Sequence, residues 1–191
     1  FLGCDGIKEI AIPDTVTLIE RYAFAECDNL KTAVLADTIT QIDDGAFSKS
    51  KVLSNINLPK GLISLGFEAF YDCDSITSIE IPKSLEKADG GWGSEGNGPF
   101  GKCDGLETVT YEEGITKIPQ YLFLGCDGIK EIAIPDTVTL IERYAFAECE
   151  NLITIIIPNS VTQIDVGVFN GCISMETITL PSELKSLDNY V

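Results

Sequence analysis

The sequence predicts a repeat solenoid of the α/β, β-rich class, wound from about eight coils of 23 residues each. Apolar residues return at the same places every 23 residues along the chain. One of these places always holds phenylalanine, at Phe1, Phe24, Phe47, Phe70, Phe100, Phe123, Phe146 and Phe169. Alternating runs such as Ile79-Glu-Ile81 recur with the same period and are typical of strands. A sustained period of this length is the signature of coils that stack on one another.

Each coil is predicted to contain one short strand and one helical turn. We number the repeat from Ile12 as position 1, which places the invariant phenylalanine at position 13. The strand ends at proline in position 2, as at Pro13, because proline has no N–H for a ladder. After a turn and a second extended piece, Ala-Phe-x-x-Cys places apolar residues at i, i+1 and i+4. That spacing indicates one face of a short helical turn.

The run Ile134-Pro-Asp-Thr-Val-Thr-Leu-Ile-Glu-Arg-Tyr-Ala-Phe-Ala-Glu-Cys149 resembles the BspA-type leucine-rich repeat, and the resemblance covers essentially the whole chain. It implies a right-handed leucine-rich-repeat superhelix with a parallel sheet on its concave side. It also implies an extracellular or cell-surface setting and a role in adhesion or host-protein binding, with a partner that the family does not fix. We expect one domain over residues 1–191, with partial repeats at both ends, as a segment of a longer array.

Composition excludes several classes of function. Thirteen basic and thirty acidic residues give a net charge of −17, which repels nucleic acid and anionic membranes. No run of about 18 apolar residues is present, so we expect no membrane insertion in this segment. The chain lacks histidine and a nucleophile elbow, so we expect neither an enzyme nor a cofactor site.

All seven cysteines occupy position 16, and Ser50 takes that place in the remaining coil. A metal or redox ladder is one interpretation, but zinc sites favour clustered spacings and often histidine. Disulfides between coils are disfavoured, because stacked strands lie about 4.8 Å apart and a disulfide needs Cβ atoms within roughly 4.5 Å. We therefore predict a column of buried, free and slowly reacting thiols.

Position 9 is acidic in most coils, at Glu20, Asp43, Asp89, Glu142, Asp165 and Asp188. Carboxylates on adjacent coils could attract calcium, but no loop has calcium-binding spacing. A solvated acidic edge is the simpler interpretation, and we expect no metal site.

One insertion, at residues 89–99, breaks the repeat and contains the only tryptophan, Trp92. Loops often carry function, and tryptophan is a favoured interface anchor. Alternatively, Trp92 covers the gap left by the small Ala88 at position 8. Both interpretations stay open at this point.

The strand face is the second candidate surface. Positions 20, 21 and 23 should point away from the core and form a threonine-rich, weakly charged surface with one apolar pair. The candidate protein-binding residues are Trp92, Thr108, Thr110, Ile153, Thr154 and Ile156. Threonine is also simply a good strand residue.

We therefore expect a non-enzymatic surface module that binds a protein, such as a host extracellular-matrix or surface protein, or a glycan. The alternative is a passive structural spacer or self-associating stalk segment of a longer surface protein. The sequence leaves the oligomeric state open.

Overall fold

The computed structural model describes residues 1–91 and 97–188 and confirms the predicted solenoid, with about 8 turns roughly 23 residues apart and parallel strands. Each full coil contributes one strand to each of two sides. The strands of the first side are β1 (Glu9–Ala11), β3 (Thr32–Val34), β5 (Asn55–Ile56), β7 (Ser78–Ile81), β9 (Thr108–Tyr111), β11 (Glu131–Ala133), β13 (Thr154–Ile156) and β15 (Thr177–Thr179). Those of the second side are β2 (Leu18–Ile19), β4 (Gln41–Ile42), β6 (Ser64–Leu65), β8 (Lys87–Ala88), β10 (Lys117–Ile118), β12 (Leu140–Ile141), β14 (Gln163–Ile164) and β16 (Ser186–Leu187).

The strand register follows the sequence repeat. Glu9 lies beside Thr32, and Leu18 lies beside Gln41, each one repeat further along the chain. Residues of equal repeat position therefore sit above one another, which turns the sequence period into columns of like side chains. The second extended piece of the predicted coil is the short strand of the second side.

The phenylalanine column confirms the vertical stacking. The rings of Phe24 and Phe47 stack with centroids 5.3 Å apart, and those of Phe47 and Phe70 repeat that distance. The column continues through Phe100, Phe123, Phe146 and Phe169 as part of one buried hydrophobic cluster. Rings stacked at this distance remove apolar surface from water, which is the main source of stability of the array.

The predicted helical turn is wrong. Residues 1–91 and 97–188 contain no helix, and repeat positions 10 to 15 form a turn instead. Positions 11 and 15 adopt the left-handed conformation even in non-glycine residues, as at Tyr22 (φ 53°) and Glu26 (φ 54°). Alternation of right- and left-handed residues stops a helix from propagating, although the apolar spacing of Ala23 and Phe24 with Cys27 imitates one.

This turn forms a third hydrogen-bonded side of the solenoid. The amides of positions 11, 13 and 15 all donate to carbonyls of the following coil, from Tyr22 to Asp44 (3.1 Å), from Phe24 to Ala46 (2.7 Å) and from Glu26 to Ser48 (2.8 Å). A left-handed non-glycine residue costs roughly 1–2 kcal/mol. The hydrogen bonds between coils offset that cost, because they give these amides acceptors away from water.

The insertion is closed at its base. The amide of Gly91 donates to the carbonyl of Asn97 (3.2 Å), and the Asn97 side chain donates to Glu68 Oε1 (3.0 Å) in the preceding coil. Asn97 is buried. Trp92 lies outside the described residues, so its two interpretations stay predictions.

Candidate interaction surface

The structure places most predicted binding residues on the first side. Thr108 and Thr110 lie on β9 and are exposed. Thr154 and Ile156 lie on β13, and Ile153 immediately precedes that strand. Ile156 is 63% exposed and Ile153 is 37% exposed, so the apolar pair does face solvent.

A shallow groove of about 340 Å³ brings three of these residues together. Residues 107–109 form one wall, residues 131–133 form the floor, and Thr154 and Ile156 form the opposite wall. Thr108 thus shares a depression with Thr154 and Ile156, whereas Thr110 and Ile153 lie outside its lining.

The groove lies where the first ladder is interrupted. At five other boundaries the amide of position 20 donates to the carbonyl of position 20 in the preceding coil, as from Lys31 to Lys8 (2.8 Å) and from Ile153 to Lys130 (2.8 Å). Among the described residues, no such bond joins Lys130 to Glu107, and β9 does not pair with β11. Within that part of the chain, the Lys130 amide and the Glu107 carbonyl are therefore not joined as their counterparts are.

Partial exposure of the core column marks the same opening. The inward residue of position 22 is buried in strands paired on both sides, at 1% exposure for Ala33 and 1% for Ile155. Val109, on the strand before the interruption, is only partly buried. Its side of the groove is consequently reachable from solvent.

A second interruption of the first ladder lies between β5 and β7 in the described part of the chain. The Asn57 side chain donates to the carbonyl of Leu35 (3.1 Å) and accepts from the Leu35 amide (3.3 Å). An amide side chain thus takes the place of the next backbone step of the ladder between β3 and β5. Ile56, just before it, is also only partly buried.

The interruption at the groove extends to the second side. There, β8 does not pair with β10 within the described part of the chain. Ion pairs join these two coils, from Lys117 to Glu86 (3.0 Å) and from Lys83 to Glu112 (3.3 Å), and on the third side backbone bonds still connect them, as from Gly98 to Leu124 (2.9 Å). We call this boundary between residues 81–110 and 111–133 the seam.

Charge around the groove is predominantly acidic. Glu107 and Glu131 are exposed and line it. The exposed Lys130 shares repeat position 20 with Glu107 and directly precedes Glu131. Glu80 and Glu176 are further exposed carboxylates on the same face of the sheet. A cationic group is therefore favoured over an anionic one at this rim.

The cysteines are free, as predicted, but they do more than fill space. The Cys73 thiol donates to the carbonyl of Phe47 in the preceding coil (3.1 Å), and Cys103 and Cys149 make equivalent bonds to Phe70 and Phe123. Ser50, the one substitute in the column, donates to the carbonyl of Phe24 at 2.8 Å. The position therefore selects a small side chain with a hydrogen-bond donor.

Cys126 is the exception, and it lies at the seam. Its sulfur is 3.9 Å from the carbonyl of Cys103 and does not bond to Phe100. The Phe100 and Phe123 rings are also tilted by 25°, against 5° for Phe47 and Phe70.

Burial makes these thiols poor nucleophiles. Desolvation, and then the neighbouring thiol of the column, raise the pKa of Cys73 and Cys103 well above the ordinary value. Burial likewise raises the pKa of the half-buried Cys172 to about 12. Because the thiolate is the reactive form, Cys73, Cys103 and Cys172 are poor nucleophiles near neutral pH.

Carboxylates of the acidic edge at position 9 accept hydrogen bonds from nearby residues. Glu142 accepts hydrogen bonds from Lys117 Nζ (3.2 Å) and from the Gln120 amide (3.0 Å), and Asp165 accepts from Gln163 (2.7 Å). In residues 1–91 and 97–188, no group of three or more histidine, cysteine or acidic residues is placed to hold a metal ion.

Position 17 carries a second column of acidic residues, which was not predicted from the sequence. Burial, and then the carboxylates of Asp74 and Asp127 in the adjacent coils, raise the pKa of Asp104. Burial also raises the pKa of Asp127, although the Glu150 amide donates to it (3.0 Å). The signal was present in the Cys-Asp pairs that recur along the sequence.

Comparisons with known proteins agree with this architecture. The sequence profile of the BspA-type leucine-rich repeat region matches residues 1–91 and 95–191 in six copies. No curated protein matches the chain in sequence. Nor do the described residues contain a helix of the length and apolarity that a membrane crossing requires.

Solved structures of bacterial leucine-rich repeat proteins share the fold. A protein from Bacteroides ovatus is 32% identical with a TM-score of 0.71, covering 98% of this chain and 47% of its own. One from Eubacterium ventriosum is 27% identical with a TM-score of 0.69, covering 96% of this chain and 46% of its own. A third, from T. pallidum, is 24% identical with a TM-score of 0.64, covering 89% and 78%, and shows the fold alone. The chain thus spans about half the length of the first two.

Proposed function

Because the chain belongs to the BspA-type leucine-rich repeat family, we propose that it is a non-enzymatic module that binds a protein on its first strand side. The observation that supports this most directly is the groove at the interrupted ladder between β9 and β11. A regular solenoid satisfies its own backbone, whereas this boundary leaves the Glu107 carbonyl and the Lys130 amide available for a partner.

The side chains around the opening suit a protein interface. Ile156 offers exposed apolar surface beside the polar Thr108 and Thr154. An apolar patch rimmed by polar residues is typical of an interaction site on a soluble surface. A contribution from the insertion through Trp92 belongs to the same proposal.

Adhesion and an extracellular or cell-surface location are the finer part of the proposal. They rest on the family resemblance, and the partners and activity of a longer parent protein are included only as proposals. An extracellular-matrix or host surface protein is the partner class that we favour, with a glycan as the alternative ligand.

A passive spacer or self-associating stalk is the second candidate. The hydrogen bonds that join the coils on the third side, as from Phe47 to Ala69 (2.8 Å), favour it because they make the stack stiff along its length. Such a stalk needs no groove.

One capture experiment separates the two candidates. The variant Thr108→Arg with Thr154→Arg fills the groove, and the variant Thr40→Arg with Thr116→Arg places equal bulk on exposed positions outside it. Immobilised chain is challenged with candidate extracellular-matrix proteins. Binding lost in the first variant and kept in the second supports the module, whereas equal binding by both favours the stalk. Trp92→Ala in the same assay tests the insertion.

A further inference from the structure

We propose that the groove binds an extended polypeptide segment in which lysine or arginine alternates with small aliphatic residues. This inference rests on the proposed function and adds the chemistry of the partner. It follows from three features of the groove, namely its open backbone, its apolar lining and its acidic rim.

The open backbone favours an extended segment. The Lys130 amide and the Glu107 carbonyl lie on successive coils and, within the described residues, do not bond to each other. An unpaired strand edge is a template for main-chain hydrogen bonds from an extended peptide. A peptide across the groove can donate to the Glu107 carbonyl and accept from the Lys130 amide.

The apolar lining favours small aliphatic side chains. Val109 and Ala133 line the groove together with the exposed Ile156. A volume of about 340 Å³ is at the lower end of the range for ligand pockets, roughly 300–1,000 Å³. The groove therefore accommodates valine-sized groups better than a large aromatic ring.

The acidic rim selects the alternate residues. Because strand side chains alternate in direction, residues flanking an inserted aliphatic group point toward the rim, where Glu107 and Glu131 are exposed. The chain carries a net charge of −17, so the wider field also attracts cations. Lys130 is the basic residue next to Glu131, and the net charge of Glu107, Glu131 and Lys130 together remains negative.

The same features disfavour the glycan alternative. An anionic glycan is repelled by the rim. No aromatic side chain is among the described residues that line the groove, so a neutral sugar ring has no flat stacking surface there.

The test uses nonapeptides of alternating lysine and valine, with glutamate–valine and serine–valine peptides as references. Amide shifts of the isotopically labelled chain are followed during titration. The lysine peptide is expected to shift amides in residues 107–109 and 130–133, and to bind at least tenfold more tightly than the glutamate peptide. N-methylation of alternate lysine-peptide amides should abolish those shifts.

Matched charge variants complete the test. Glu107→Gln with Glu131→Gln should weaken lysine-peptide binding about tenfold, while Glu20→Gln with Glu150→Gln removes equal charge outside the groove and should leave it within about twofold. Equal binding of the glutamate peptide, or no shift at millimolar lysine peptide, overturns the inference.

The two proposals fail separately. A matrix partner whose capture is abolished by Thr108→Arg with Thr154→Arg but is unaffected by Glu107→Gln with Glu131→Gln overturns the basic-segment inference and leaves the binding module standing. Capture that is unaffected by the arginine variants overturns both.

Discussion

Substitution of the cysteine column tests whether its thiols act as hydrogen-bond donors. The perturbation is Cys73→Ala compared with Cys73→Ser, at a fully buried position whose sulfur lies 3.1 Å from the Phe47 carbonyl. The expected order follows from the Ser50 coil, where a hydroxyl already makes the equivalent bond at 2.8 Å.

The magnitude can be worked from these contacts. The Cys73→Ala variant loses roughly 1 kcal/mol of the transfer free energy gained by burying the side chain. It also leaves the Phe47 carbonyl without its hydrogen bond, at a cost of about 1–3 kcal/mol. The Cys73→Ser variant keeps the hydrogen bond and loses only part of that transfer free energy. We expect Cys73→Ser to be more stable than Cys73→Ala by about 1–2 kcal/mol.

Cys126 is the matched control, because it is equally buried but lacks this bond at the seam. Serine at this place buries a hydroxyl without a short acceptor, so Cys126→Ser should be less stable than Cys126→Ala by about 1 kcal/mol. Urea unfolding followed by circular dichroism measures all four variants. The reasoning is refuted if alanine equals or exceeds serine at Cys73, or if both sites rank the substitutions alike.

Three further outcomes are expected. In native protein, a thiol reagent should label Cys4 and Cys172 before the five fully buried thiols. Labelling of all seven cysteines should require unfolding, and fast labelling of a buried thiol would contradict this. Lys49→Gly relieves a left-handed residue (φ 60°) and should change stability by less than about 0.5 kcal/mol, whereas Lys51→Gly, with an ordinary φ, should cost about 1 kcal/mol in thermal unfolding. Because the pKa of Asp104 is raised, its protonated form favours folding below the ordinary pKa, and that contribution is lost as pH rises through the folded value. Asp104→Asn should therefore raise the melting temperature slightly at pH 7 and leave it unchanged at pH 3, and an equal shift at both would contradict this.

The columns of the fold were predictable from the sequence because they follow directly from the period. Phe24, Phe47 and Phe70 share a repeat position, and in a stacked array equal position means vertical contact. The free state of the cysteines was predictable for the same reason, since coil spacing excludes a disulfide between neighbours.

The third side was not predicted, because apolar spacing does not report the sign of φ. Ala23, Phe24 and Cys27 have the spacing of a helical face, yet Tyr22 and Glu26 are left-handed. A usable signal was overlooked in the glycines that recur at the same two positions, at Gly3, Gly45, Gly125, Gly167 and Gly171, all with positive φ.

The groove was only partly predictable. Its polar and apolar side chains, Thr108, Thr154 and Ile156, follow from strand alternation. The interrupted ladder does not, because Glu131–Ala133 has the same letters as Glu9–Ala11 and pairs with β13 as fully as Glu9–Ala11 pairs with β3, so these letters show no sign of the missing pairing with β9. The coil before the interruption is lengthened by the insertion at residues 89–99, and the letters of one strand do not encode how coils of unequal length meet.

Amide hydrogen exchange tests the open ladder most directly. Within residues 1–91 and 97–188, the Lys130 amide does not bond to the Glu107 carbonyl, whereas Lys31 and Ile153 bond to the carbonyl at the same position in the preceding coil. We predict that Lys130 exchanges at least about tenfold faster than Ile153 in native protein. Equal protection of these two amides would show that β9 and β11 are paired, and the proposed groove would lose its open backbone.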